Sequence, residues 1–152
     1  MIDHNGLYVS DYRKSLEFYS KLLAPFGYKF VIEIDPAFGS PSPSDPPRSA
    51  EYVLEKPLGG FGFPTPGVTQ GIGRKPPFWI TQAREGTVSP VVCSFVCPDK
   101  ALVDAFYRAG VEAGATVSAP PGERKAFGGR CYSASILDFD RNEIEAMAWI
   151  QS

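Results

Sequence analysis

Apolar residues fall into two similar series along the chain. His4-Asn5-Gly6-Leu7-Tyr8-Val9-Ser10-Asp11 alternates as a short strand does and stops at residues that cap helices. Val92-Cys93-Ser94-Phe95-Val96-Cys97-Pro98-Asp99 has the same length and the same ending. After the first, Tyr12, Leu16, Tyr19 and Leu23 recur at helical spacing behind Ser10 or Asp11. After the second, Leu102, Val103, Phe106, Tyr107 and Val111 do so behind Asp99. Phe18-Tyr19 and Phe106-Tyr107 stand at matching distances from their caps. Each helix exits through a glycine, Gly27 or Gly114, into an extended segment, Tyr28–Val31 or Ala115–Val117. Landmarks in matching order predict an internal repeat of one strand–helix unit.

Further strands are expected at Phe78–Thr81, at Arg130–Leu137 and at Glu143–Ile150, with an Asx-rich turn at Asp138–Asn142 between the last two. Alternation in the last strand puts Glu143, Glu145 and Met147 on one face and Ile144, Ala146 and Ala148 on the other. From about residue 36 to 73 the chain turns irregular. Its PSPSDPP and GGFGFPTPG runs predict neither a central strand nor a helix, and one strand is expected at Ala50–Leu54. Such an insertion reads as the rim or lid of a pocket. Glu123-Arg124-Lys125 reads as a mobile polar loop.

The remaining totals narrow the functional classes. The 152 residues, 43% apolar and 13% aromatic, suffice for one domain with a substantial core. A net charge of −2 without a basic stripe gives no support to nucleic-acid binding. Cys93, Cys97 and Cys131 are odd in number and lack CxxC spacing, so buried thiols in a reducing, cytoplasmic setting are expected. The start of the chain lacks a signal-like apolar run, and no stretch is apolar enough to span a bilayer. With one histidine and no supporting motif, no Ser/His/Asp order is expected. Gly60-Phe61-Gly62 lacks the lysine and helix of a phosphate loop.

Four stretches carry a family resemblance: MIDHNGLYVSDYRKSLEFYSKLL, PPFWI, SFVCPDKALVDAFYRAGVEAGATV and GGRCYSASILDFDRNEIEAM. Together they resemble the vicinal oxygen chelate superfamily of glyoxalases, bleomycin-resistance proteins and extradiol dioxygenases. The resemblance implies an α+β, glyoxalase-like fold over residues 1–152. Module 1 would cover about 1–86, with the insertion inside it, and module 2 about 88–152. Each is a βαβββ unit, and their curved mixed sheets form a cleft, commonly in a homodimer.

Metal-dependent members hold one divalent ion through four side chains, from the first and last strands of each module, so that adjacent substrate oxygens can chelate it. By that resemblance His4 and Glu145 occupy two ligand positions. Val92 and Trp79 occupy the other two and supply no ligand, with Thr81 next on the Trp79 face; the turn Asp138-Phe139-Asp140-Arg141-Asn142 also departs from the usual pattern. Two of four donors are absent, so no cofactor is expected and a divalent metal is the alternative. His4 and Glu145 are the candidate acid/base pair. Trp79, Phe78, Arg130, Tyr132 and Val92 are candidate substrate contacts, with Arg130 able to hold a carboxylate or enolate. The expected activity is that of a lyase or isomerase on a small organic molecule of aromatic or polyketide-like type. The alternatives are sequestration of a toxic ligand and metal-dependent glyoxalase or dioxygenase chemistry.

Overall fold

The computed structural model describes residues 4–34, 56–63, 76–126 and 129–150. Among these residues eight strands form two four-stranded mixed sheets. The first has the order β1 (Asn5–Val9), β4 (Phe78–Gln82), β3 (Leu58–Gly62), β2 (Lys29–Ile34). The second has the order β5 (Val92–Val96), β8 (Glu143–Trp149), β7 (Gly129–Leu137), β6 (Thr116–Ala126). In each, the first strand runs parallel to its neighbour and the remaining pairs are antiparallel. This is the paired βαβββ architecture expected from the sequence.

Helices α1 (Tyr12–Leu22) and α2 (Lys100–Glu112) follow β1 and β5. Asp11 and Asp99 cap them, their carboxylates accepting from the Lys14 and Leu102 amides at 3.0 and 2.9 Å. Gly27 and Gly114 take positive φ after the helical segments, the conformation that glycine adopts without a Cβ clash. Both helices pack on one side of the sheets and touch each other. Between them and the sheets lies a continuous core that includes Leu7, Val9, Tyr19, Phe61, Phe78, Phe106, Ile136 and Ile144. Each large side chain buried there contributes roughly 1.5–3 kcal/mol.

The repeat is visible in atomic contacts. Asn5 and Cys93 are 88 positions apart, as are the two caps, and the Asn5 amide donates to Cys93 Sγ at 3.3 Å across the module boundary. The modules are also latched at one turn. The Tyr19 hydroxyl donates to Asp138 at 2.6 Å, and the Ser10 amide donates to Asp140. Phe139 is wedged between Phe18 and the Lys14 ammonium.

Two expectations are overturned. The Gly-rich run does form an interior strand, β3, flanked by β2 and β4. Glycine is tolerated because the space of the missing side chains is taken: Cβ atoms on Gly59, Gly60 and Gly62 would approach Tyr12 Oη to 2.6 Å, Pro76 Cγ to 2.7 Å and Pro77 Cδ to 3.0 Å. Glu123, Arg124 and Lys125 belong to β6, not to a loop. That strand is an edge, carries Pro120 and Pro121, and slips register between Val117 and Gly122, a pattern prolines force on a ladder. The strand expected at Ala50–Leu54 lies outside the described residues.

Cys93, Cys97 and Cys131 are free and buried, and burial raises the Cys93 thiol pKa and pushes that of Cys97 up to about 11. Thiolate is the reactive form. Titration of native protein with an aromatic disulfide at neutral pH is expected to be slow at all three thiols, with all three reacting at once in denaturant. A fast native thiol contradicts this packing.

Candidate functional site

Alternation along each strand sends one set of side chains to the helices and the other to the open face. On the open face of the first sheet the register aligns two transverse rows. One is Tyr8, Thr81, Leu58 and Ile34; the other is Gly6, Trp79, Gly60 and Ile32. The first row, with Gly6, Trp79, Leu7 and His4, lines a cavity of about 620 Å³. That is ample for a small organic molecule.

Most of the lining is apolar. Its polar groups are the His4 imidazole and the Tyr8 and Thr81 hydroxyls, and none of these described lining residues is Asp, Glu, Lys or Arg. Tyr8 is 63% exposed and stands out from the sheet, whereas Trp79 is only 7% exposed. The indole N–H donates to the Pro76 carbonyl at 2.7 Å, and Pro76 fills the space beside it over Gly60. Trp79 is therefore a fixed wall whose N–H is already satisfied.

The equivalent face of the second sheet is built from different chemistry. Gly6 pairs with Trp79, and Ser94, 88 positions on, pairs with Glu145. Trp79 and Glu145 therefore occupy corresponding places in the two modules. The Ser94 hydroxyl donates to Glu145 at 2.6 Å, and the Ser118 and Ser135 hydroxyls both donate to Glu143. Val92 lies exposed on β5.

The structure thus distributes the sequence candidates. His4 and Trp79 meet in the cavity. Glu145 and Val92 stand on the open face of the other sheet and are not among the described lining. Phe78 points into the core against Tyr19, Phe61 and Phe95. Arg130 pairs with Glu123, which also accepts from Lys100; the two cations hold the Glu123 carboxyl down to about 2. Tyr132 turns toward α2, where its hydroxyl donates to Asp104 at 2.9 Å. Gly6, Tyr8, Ile34 and Leu58 were not foreseen as site residues. Only for Gly6 and Tyr8 was a signal present, since they alternate with His4 on the face opposite Leu7 and Val9.

The four-donor metal set implied by the resemblance does not fit these residues. Trp79 and Val92 stand at two of its positions, and among the described residues no three His, Cys, Asp or Glu side chains gather where one ion could be held. Among the same residues, no helix is long and apolar enough to cross a membrane.

Comparison with known proteins agrees with this architecture. The Glyoxalase family model, describing the Glyoxalase/Bleomycin resistance protein/Dioxygenase superfamily, matches residues 1–146. The chain belongs to this superfamily. Among solved superfamily structures, a glyoxalase/bleomycin resistance protein from Albidiferax ferrireducens T118 is 24% identical, with a TM-score of 0.63 over 96% of this chain and 97% of that one. A glyoxalase/bleomycin resistance protein/dioxygenase family enzyme from Burkholderia phytofirmans PsJN is 18% identical, with a TM-score of 0.59 and 98% of both chains covered. A mutant of glyoxalase I from Zea mays is 16% identical, with a TM-score of 0.58 over 96% of this chain and 43% of that one. At these identities the likeness to each structure is one of fold. No curated protein matches the chain.

Proposed function

We propose that this superfamily member captures a small, uncharged organic molecule in the cavity on the open face of the first sheet. One observation carries the reading: a cavity of about 620 Å³ whose described lining combines hydrocarbon and aromatic surface with the His4, Tyr8 and Thr81 polar groups and no fixed charge. Burial of apolar ligand surface supplies affinity, and the few polar groups set orientation. Sequestration needs nothing more.

A second reading rests on His4 being in that lining. An imidazole beside a bound carbon acid is a usable general base, which gives the lyase or isomerase chemistry its simplest form. Glu145 enters neither reading as a partner, because its carboxylate is engaged by Ser94 on the other sheet.

The test uses calorimetric titration with 2-naphthol and with its saturated counterpart, decahydro-2-naphthol. At least one is expected to bind, and Leu58→Arg, which puts a charge into the lining, is expected to weaken it more than about tenfold. Binding of neither, or binding unchanged by Leu58→Arg, rejects the cavity as the site. A stoichiometric divalent ion retained by protein purified without chelator, and lost in His4→Ala, replaces this reading with metal-assisted chemistry.

A further inference from the structure

Gly6 lies inside β1 and has ordinary extended backbone, so no positive φ requires glycine there. Nor does packing: among the described residues an added Cβ would meet only Trp79 Cβ at 3.5 Å and Trp79 O at 3.6 Å, both normal contacts. The glycines of β3 are different, each having a neighbour at 3.0 Å or closer to that position. Glycine weakens a strand interior, and where no bulge or described neighbour accounts for it, it marks the close approach of a ligand or another backbone. The corresponding residue of module 2 is Ser94, whose side chain reaches Glu145. Among the described residues nothing fills that place in module 1, inside the cavity lining.

We propose that Gly6 is the floor of the ligand site and its specificity-determining residue, admitting a planar, uncharged aromatic molecule that lies along β1 between His4 and Tyr8. This rests on the cavity being the ligand site. His4 and Tyr8 share the face of Gly6 and are four residues apart, about 13 Å in an extended strand. A fused-ring molecule fits that span with a polar substituent at either end, one toward the imidazole and one toward the Tyr8 or Thr81 hydroxyl. Trp79 borders the slot from the neighbouring strand, so aromatic groups meet the ligand on three sides. Ring–ring contacts of this kind favour an aromatic over a saturated ligand of the same skeleton. With no described carboxylate, lysine or arginine in the lining, a charged ligand would lose its hydration without a fixed partner.

The experiment compares Gly6→Ala, Gly6→Leu and Leu58→Arg with the parent protein, by calorimetry with 2-naphthol and decahydro-2-naphthol and by thermal melting. The parent is expected to bind 2-naphthol more than about tenfold tighter than the saturated compound. Gly6→Ala should weaken 2-naphthol binding, and Gly6→Leu should abolish it. Both variants should melt at or above the parent temperature, because the new side chain enters open space and suits a strand better. Equal affinity for the two compounds, or 2-naphthol binding undiminished in Gly6→Leu, overturns the proposal. If Leu58→Arg still blocks binding in that case, the cavity stands and only the role of Gly6 falls. A Gly6→Leu protein that melts well below the parent also overturns it, because the glycine would then be demanded by packing.

Discussion

Asp138→Ala is expected to destabilise the protein by about 3–5 kcal/mol, the range for breaking a buried, charge-bearing hydrogen-bond network. The Asp138 side chain is buried and accepts from the Tyr19 hydroxyl, the Asn142 amide group and the backbone amides of Asp140 and Asn142, at 2.6 to 2.9 Å. Removing the carboxylate orphans a 0%-exposed phenol whose pKa burial, with Asp138 beside it, already raises well above 10. It also loosens the turn that holds Asp140 on Ser10 and Phe139 on Phe18. Both modules should weaken together, so denaturant unfolding followed by far-ultraviolet circular dichroism should stay a single transition at lower midpoint. Tyr19→Phe should cost less, since Asp138 keeps three donors. Equal stability of Asp138→Ala and the parent would mean that the turn does not join the modules.

The second large effect is expected at Gly59. A Cβ there would lie 2.6 Å from Tyr12 Oη and 3.2 Å from Phe30 Cε2. The Tyr12 hydroxyl is enclosed beside Glu33; burial, and then the Glu33 carboxylate, push its pKa up to about 12. Gly59→Val should therefore cost about 3 kcal/mol, as overpacking does when the neighbour cannot yield. Tyr12→Phe removes the obstructing oxygen and should be near neutral alone, because Glu33 keeps its ion pair with Arg13. The double variant should recover about 1 kcal/mol or more of the loss, a coupling expected only of residues in contact. Strict additivity in urea denaturation would show that the two do not touch.

The duplicated architecture was legible because it is written in local chemistry. Caps at Asp11 and Asp99, stop glycines at Gly27 and Gly114 and alternation in β8 each act within a few residues. β3 was illegible for the opposite reason. Its glycines make sense only with Tyr12, Pro76 and Pro77 beside them, contacts that form after the chain folds. Glu123, Arg124 and Lys125 were misread as a loop because pairing with Tyr132, Cys131 and Arg130 of β7, and no local signal, makes them a strand. Of the candidate site, His4 and Trp79 could be placed by alternation and family position. The roles of Tyr132 and Phe78 could not, because facing helix or cleft depends on the register of whole sheets, where a shift of one residue exchanges the faces. Leu58 and Ile34 come from strands whose ends no short-range signal marks.

The prolines of β6 bear on how the molecule behaves at high concentration. An outer strand with unused amide donors is a template on which another chain can extend the sheet. Pro120 and Pro121 present none, and the ladder slips register around them. Sheet growth from this rim into fibrillar aggregates is thereby disfavoured, whereas β2, the outer strand of the first sheet, carries no proline to block it.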